Sequence, residues 1–158
     1  MGTRSRIAVM HGTICKSVYC HWDGYLEHNG SILEKHYDTV KANNLVALGD
    51  MSTLRPNIGV KHAFSKLDIP EADRELFEQE HAESCTFYGR DREEKDCSWK
   101  VAHTFEEFLE QCYQCNAEYY YVMENGKWFV GTTGGGEFKG RLVRLSEALE
   151  DVIETESI

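Results

Sequence analysis

The sequence contains no apolar run that approaches the roughly 18 residues of a membrane-spanning helix. Residues 1–20 also lack the apolar core and the small-residue cleavage site of a secretory signal peptide. These two absences predict a protein that stays in the cytoplasm of the cell that makes it. The chain has 158 residues, of which 41% are hydrophobic and 28% are charged, a composition typical of one globular domain.

Signatures of metal, phosphate and redox sites are incomplete as well. Cys112 and Cys115 have the spacing of half a zinc knuckle, but no second pair follows them, and Cys112 continues the apolar stripe of a predicted helix. Three glycines at 134–136 lack the Gly-Lys-Ser/Thr of a phosphate-binding loop. No two of the seven histidines form a His-x-x-x-His pair. We therefore predict no metal, no cofactor and no catalytic residue, and we expect all six cysteines to be reduced thiols.

Acidic residues are concentrated in two parts of the chain, and basic residues are scarce there. Residues 67–98 hold eleven acidic and four basic side chains, and residues 145–158 hold five acidic and no basic ones, within a net charge of −10. Such a surface repels the phosphates of nucleic acids and attracts basic protein surfaces. We expect no direct contact with nucleic acid or with a membrane. The alternative is that the acids only form a solvated face that aids solubility.

Alternation of apolar and polar residues predicts six strands that pair as three hairpins. The strongest turn signal is Asn125-Gly126, because a type I′ turn needs two residues that tolerate a positive φ. The predicted strand pairs are residues 6–10 with 13–20, 85–89 with 98–102, and 118–123 with 127–131.

Capping patterns and apolar stripes predict helices between these hairpins. Residues 50–68 lack a strong periodicity and are predicted to form an ordered loop. The order of elements favours an α+β fold, with a mainly antiparallel sheet built from hairpins and helices packed on one face. The predicted helices cover residues 31–48, as one helix or a broken pair, residues 70–81, the segment that begins at Thr104, and residues 142–158.

The composition changes after residue 131. We predict a compact α+β domain over residues 1–131, a glycine-rich connection over 132–141 and a C-terminal amphipathic helix over 142–158. This helix has three candidate docking sites: the sheet of its own chain, a second copy in a homo-oligomer, or a foreign partner.

The densest chemistry lies in the segment His21-Trp22-Asp23-Gly24-Tyr25, at the predicted end of a strand. Such a segment either locks a corner of the fold or lines a pocket. In a pocket, the two aromatic rings would sandwich a base and arginines would contact phosphate. The candidate ligand-binding residues are His21, Trp22, Asp23, Tyr25, Arg4, Arg90 and Arg92. The alternatives are that Trp22 plugs a corner and that Arg90-Asp91-Arg92 forms an internal salt-bridge cluster.

Four motifs carry a resemblance to a family of small, largely uncharacterised proteins encoded by tailed bacteriophages. The resemblance covers residues 3–131, and residues 132–158 extend beyond the usual end. The family pattern continues Arg-Asp-Arg-Gly-Glu, whereas this chain has Glu93 in place of that glycine. The four motifs are Thr3-Arg4-Ser5-Arg6-Ile7, Tyr19-Cys20-His21-Trp22-Asp23-Gly24-Tyr25, Leu45-Val46-Ala47-Leu48-Gly49-Asp50-Met51-Ser52 and Thr86-Phe87-Tyr88-Gly89-Arg90-Asp91-Arg92.

The resemblance implies a phage accessory protein of the host-takeover or anti-defence type, which acts in the cytoplasm of the infected bacterium by binding rather than by catalysis. In this interpretation the acidic segment occupies a basic site on a host protein. The candidate partner-binding residues are Glu75, Glu78, Glu80 and Glu83. The first alternative is a protein that sequesters a small, nucleotide-like ligand in an aromatic and arginine pocket. The second is a small phage enzyme.

Overall fold

The N-terminal hairpin forms one half of the central sheet. A computed structural model describes residues 3–134 and 139–156. Strands β1 (Ser5–His11) and β2 (Ile14–Cys20) pair antiparallel along their full length. Gly12 has a φ of +65° in the tight turn between them, which glycine adopts without steric cost. The predicted first hairpin is confirmed.

The C-terminal hairpin forms the other half. Asn125 and Gly126 have φ values of 52° and 76°, as a type I′ turn requires, and they join β6 (Tyr119–Glu124) to β7 (Lys127–Thr132). The prediction for this hairpin is confirmed. A short strand, β8 (Val143–Arg144), pairs with β7 and was not predicted.

Three short strands complete the sheet and correct the sequence-based prediction. They are β3 (Met51–Thr53), β4 (Thr86–Phe87) and β5 (Lys100–Ala102). The predicted loop over 50–68 is therefore wrong at β3. The predicted hairpin of 85–89 with 98–102 is also wrong, because β4 pairs with β3 whereas β5 pairs with β2. Strands of two or three residues are too short to show a periodicity.

The two halves meet where β1 lies parallel to β6, from Ser5 opposite Tyr119 to Val9 opposite Met123. The strand order is β4-β3-β2-β1-β6-β7-β8, with β5 beside the first half of β2. A parallel pair needs a long crossover connection, and residues 21–118 provide it.

Six helices are present in the described part of the chain. Of the two alternatives predicted for 31–48, one helix or a broken pair, the structure shows the pair, because Asp38 accepts a hydrogen bond from the backbone N–H of Lys41 and starts a second helix. Thr104 caps the next predicted helix through the N–H of Glu107. The helices are α1 (Ser31–His36), α2 (Thr39–Ala47), α3 (Arg74–His81), α4 (Tyr88–Arg92), α5 (Phe105–Gln114) and α6 (Leu145–Glu156). None of them is long and apolar enough to cross a membrane.

The central strands are buried on both faces. Alternate residues of β1 and β6, such as Ile7 and Tyr121, pack with α1, α2 and α6, whereas Ala8 and Tyr120 face Phe108 of α5. The α+β class and the mainly antiparallel sheet are confirmed. The expected packing of helices on one face needs correction, because α5 covers the opposite face. Strands that are apolar at both odd and even positions require cover on both sides.

The C-terminal helix packs on the sheet of its own chain. Leu145 and Ala148 of α6 are fully or almost fully buried in the larger core cluster. The predicted glycine-rich connection falls partly on residues 135–138, which lie outside the described residues. The boundaries at 131 and 141 stay predictions.

Glu93 ends α4 in a left-handed conformation, with φ +56° and ψ 30°. Glycine adopts this conformation freely, whereas a side chain is strained by contact with its own carbonyl group. Glu93 also pairs with Lys61 at 2.9 Å, but both side chains are exposed, so the pair contributes little.

We therefore expect Glu93→Gly to raise the melting temperature by about 2–4 °C, because it relieves the strained backbone. Calorimetry on the variant and on Glu93→Ala separates the two contributions. The alanine variant loses the ion pair and keeps the strain, so it should melt no higher than the original chain. A glycine variant that melts lower would contradict the strain.

Candidate functional site

The segment His21-Trp22-Asp23-Gly24-Tyr25 forms a corner whose backbone is fixed on three sides. The N–H groups of His21 and Trp22 donate to the carbonyls of Met51 and Ser52 at 3.1 and 3.0 Å. Gly24 donates to Thr3 at 2.7 Å, and its own carbonyl accepts from a buried tyrosine hydroxyl, that of Tyr121, also at 2.7 Å. A side chain at Gly24 would clash with Ser5 and Thr3 at 2.8 Å. The corner therefore has a structural role.

A buried amide supports this corner from below. Asn29 is fully buried, and its Nδ2 lies 3.3–3.4 Å from the Ser5 hydroxyl, the Cys20 sulfur and the Trp22 carbonyl. Its Oδ1 must then accept from Nδ1 of His28, 2.9 Å away. This leaves Nε2 of His28 to accept from the Arg55 guanidinium at 3.3 Å. Sequence reasoning missed Asn29 and Arg55, because neither lies in a recognisable motif.

The side chains above the corner form a small polar cluster. Burial raises the pKa of the Tyr19 hydroxyl to about 12, and burial and the charge of Arg4 lower the pKa of the His21 ring. The hydroxyl therefore stays protonated, and its O–H donates a hydrogen bond to Nδ1 of His21 at 2.6 Å. The Trp22 ring meets His21 edge to face, with centroids 4.6 Å apart. The structure thus brings Tyr19, His21 and Trp22 together.

Trp22 is not a buried plug, because 43% of its surface is exposed. Tyr25 and Asp23 contact His28 rather than His21. The ring centroids of Tyr25 and His28 are 6.0 Å apart, and the Asp23 carboxylate is 3.9 Å from Nε2 of His28. Within the described residues, the ring contacts of Trp22 and Tyr25 are to different histidines, so these contacts do not support a base sandwiched between the two rings.

The guanidinium of Arg90 is used in hydrogen bonds within the protein. Its guanidinium donates to Asp91 and to the carbonyls of Ile58 and Cys85, each at 2.9 Å. The Asp91 carboxylate is buried and also accepts from the backbone N–H groups of His62 and Phe87 at 3.0 and 2.8 Å. This arrangement matches the internal salt-bridge alternative for Arg90 and Asp91, but not for Arg92, and it fastens the preceding loop to β4.

Arg92 points elsewhere, as part of an exposed aromatic stack. Its guanidinium lies over the rings of Phe64 and Tyr88, 4.4 and 5.0 Å from their centroids, and it donates to Glu94 at 2.6 Å. Arg90, Arg92 and Arg4 therefore do not converge on one phosphate-binding point.

The first part of the acidic segment 67–98 forms α3 and the turns that precede it, and the remainder contains β4 and α4. We call residues 66–83 the α3 segment. None of the residues of α3 is buried. Two exposed leucines, Leu67 and Leu76, are 70% and 57% accessible. The candidate glutamates Glu75, Glu78, Glu80 and Glu83 are all exposed.

Few of these glutamates have cationic partners. Glu78 pairs with Lys66 at 2.7 Å, and Glu80 lies 3.9 Å from His81. Within residues 3–134 and 139–156, Glu75 and Glu83 form no ion pair. The structure therefore leaves uncompensated negative charge beside exposed apolar side chains.

Aromatic rings attach α3 to the rest of the molecule. The ring of His81 stacks on that of His62 with centroids 4.4 Å apart, and Phe77 meets the same ring at 5.8 Å. Because the side chain of His62 is 3% exposed, the inner side of α3 rests on a fixed platform. The outer side is left to solvent.

Nucleophilic and metal chemistry finds little support. Burial raises the pKa of Cys20, next to His21, to about 12, so this thiol is neutral at pH 7. No three His, Cys, Asp or Glu side chains of the described residues are grouped to hold a metal ion.

Comparisons with protein-family models, with curated proteins and with solved structures find no match to this chain.

The role of Asp91 can be tested by its removal. We expect Asp91→Ala to lower the free energy of unfolding by about 3 kcal/mol or more, because it leaves Arg90 and two backbone N–H groups buried without their acceptor. Urea denaturation measures the loss. Glu94→Ala, which removes only the exposed pair with Arg92, is the control and should change stability by less than about 1 kcal/mol. Equal effects of the two substitutions would contradict an internal role.

Proposed function

We propose that this chain is an accessory protein of a tailed phage, of the host-takeover or anti-defence type, and that it acts by binding a basic surface of a host protein. The α3 segment is the contact surface. The observation that carries the proposal is the exposure of the α3 segment: no residue of its helix is buried, Leu76 in the helix and Leu67 in the turn before it are exposed, and Glu75 and Glu83 form no ion pair within the described residues. The phage origin rests on the four sequence motifs, and the site of action is the cytoplasm of the infected bacterium.

The chemistry of the α3 segment specifies the kind of partner. Burial of an exposed leucine such as Leu76 in an apolar pocket contributes about 1.5–3 kcal/mol. The surrounding glutamates repel acidic surfaces and accelerate the encounter with basic ones. The partner should therefore present a small apolar pocket with lysine or arginine at its rim. Binding of this kind needs no catalytic group in the phage protein.

Charge reversal on the α3 segment tests the proposal. The partner is first captured from a bacterial lysate with the full-length protein, identified by mass spectrometry and purified. We expect Glu75→Lys, Glu80→Lys and Glu83→Lys together to weaken its affinity by about tenfold or more and to flatten the salt dependence, because three attractive charges become repulsive.

The matched control reverses three other exposed glutamates, Glu27, Glu110 and Glu118, and produces the same net charge. This control should retain the original affinity and salt dependence. The proposal fails if the α3 variant binds as tightly as the original chain, or if the control loses as much affinity.

A second candidate is a protein that sequesters a small, nucleotide-like anion. One observation favours it: the exposed Trp22 packs against His21, and the positive charge of Arg4 lowers the pKa of the His21 ring, although Arg90 is committed to Asp91. An indole face and a guanidinium are the groups that stack on a base and contact a phosphate.

Native mass spectrometry of protein purified from bacteria tests this candidate. If it is correct, the protein retains a ligand as excess mass, and Trp22→Ala loses it because the stacking surface is gone. Trp99→Ala is the control, since Trp99 is exposed to a similar extent, 39% against 43%. A folded Trp22→Ala protein that retains all of the ligand would exclude a site at this corner.

A further inference from the structure

A polar cavity lies on the face of the sheet that carries α1 and α2. Its volume is about 380 Å³. It opens between the turn that joins β6 to β7, strand β8 and the connection from α1 to α2. The residues that matter for its chemistry are Glu34, Lys35, Lys127, Trp128, Asp38 and Arg144. None of them belongs to the α3 segment or to the corner at His21.

The guanidinium of Arg144 is the unusual group in this cavity. Its Nε is buried and has no hydrogen-bond partner among the described residues. The same part of the chain provides no ion pair to Arg144. A buried donor of this kind costs the free energy of its desolvation unless another group accepts its hydrogen bond. A ligand oxygen would supply that acceptor.

Two further cations border the cavity without forming ion pairs within the described ranges. Lys35 and Lys127 are exposed at its wall. The acids at the wall are Glu34 and Asp38, and an Oδ1 atom of Asp38 is already used to cap α2 through the N–H of Lys41 at 2.8 Å. The lysine and arginine side chains at the wall therefore outnumber the carboxylates.

The floor of the cavity is rigid and apolar. Trp128 and Met123 are 3% and 2% exposed, and the indole N–H of Trp128 donates to the carbonyl of Tyr37 at 2.9 Å. Strand β7 and the end of α1 thus hold the floor in place. A small molecule with an organic body would contact this floor while its charged group reaches Arg144. The volume falls in the range of sites that bind such ligands, about 300–1,000 Å³.

We propose that this cavity binds a small organic anion whose phosphate or carboxylate group contacts Arg144 and Lys127. The planar guanidinium can donate two parallel hydrogen bonds to either oxyanion. Lys127 adds a second positive charge from the turn side. The body of the ligand lies against Trp128.

Titration with inorganic phosphate and with acetate tests the site and distinguishes the two oxyanions. Isothermal titration calorimetry at constant ionic strength measures affinity, and ¹H–¹⁵N spectra report the location, because the three tryptophans give separate indole signals. We expect saturable binding of at least one anion and a shift of the Trp128 signal, with those of Trp22 and Trp99 unchanged. Phosphate alone would indicate a phosphorylated ligand, and acetate alone would indicate a carboxylate.

Variants complete the test. Arg144→Gln should weaken binding by about tenfold, and Lys127→Gln should weaken it by a smaller factor, because an exposed lysine contributes less than a half-buried guanidinium that donates two hydrogen bonds. Lys95→Gln, which removes an exposed charge elsewhere, should have no effect. Arg144→Lys keeps the positive charge but cannot donate two parallel hydrogen bonds to one oxyanion. It replaces Arg144→Gln in the test if that variant does not fold, and it should also weaken binding.

Three results would overturn the proposal. They are the absence of saturable binding of either anion, a shift of all tryptophan signals to the same extent, and full affinity in folded variants at Arg144 and Lys127.

Discussion

The parallel pairing of β1 with β6 is the contact on which the rest of the structure depends. Each strand belongs to a local hairpin, and a two-stranded hairpin is at best marginally stable alone. The five residue pairs from Ser5–Tyr119 to Val9–Met123 join the hairpins into one sheet with two buried faces. The chain between them must then cross from one end of the sheet to the other, and this crossover contains α1 to α5.

The position of the α3 segment follows from this topology. In sequence the segment connects β3 to β4, which are the last two strands on one side of the sheet. The residues of its helix are not buried in the core. Aromatic contacts to His62 and a hydrogen bond from the backbone N–H of Asn57 to the carbonyl of Glu83, at 3.0 Å, attach the segment to the rest of the molecule. A helix in such a place can expose a leucine and several glutamates, because none of its residues is buried in the core of the sheet.

Turn residues, helix caps and apolar spacing in the sequence were sufficient to predict the elements that depend on neighbouring residues alone. The hairpin turn at Asn125-Gly126, the Thr104 cap and the acidic helix before His81 were all predicted from spacing and turn chemistry. The neighbours of β4 and β5 were not, since strand pairing over long sequence distances leaves no local pattern. At the candidate site, the exposure of the glutamates followed from composition. The commitment of Arg90 to Asp91 and the buried amide of Asn29 required three-dimensional contacts.

Native-state hydrogen exchange, read residue by residue, tests most directly whether the α3 segment is a surface element carried by an independent sheet. We expect the amides of β1 and β6 to exchange slowest, through global unfolding, and those of Arg74–His81 to exchange much faster through local opening. Their exchange should stay fast in denaturant concentrations too low to affect the sheet. Protection of α3 equal to that of β1 would contradict this view, because it would make the helix part of the cooperative core.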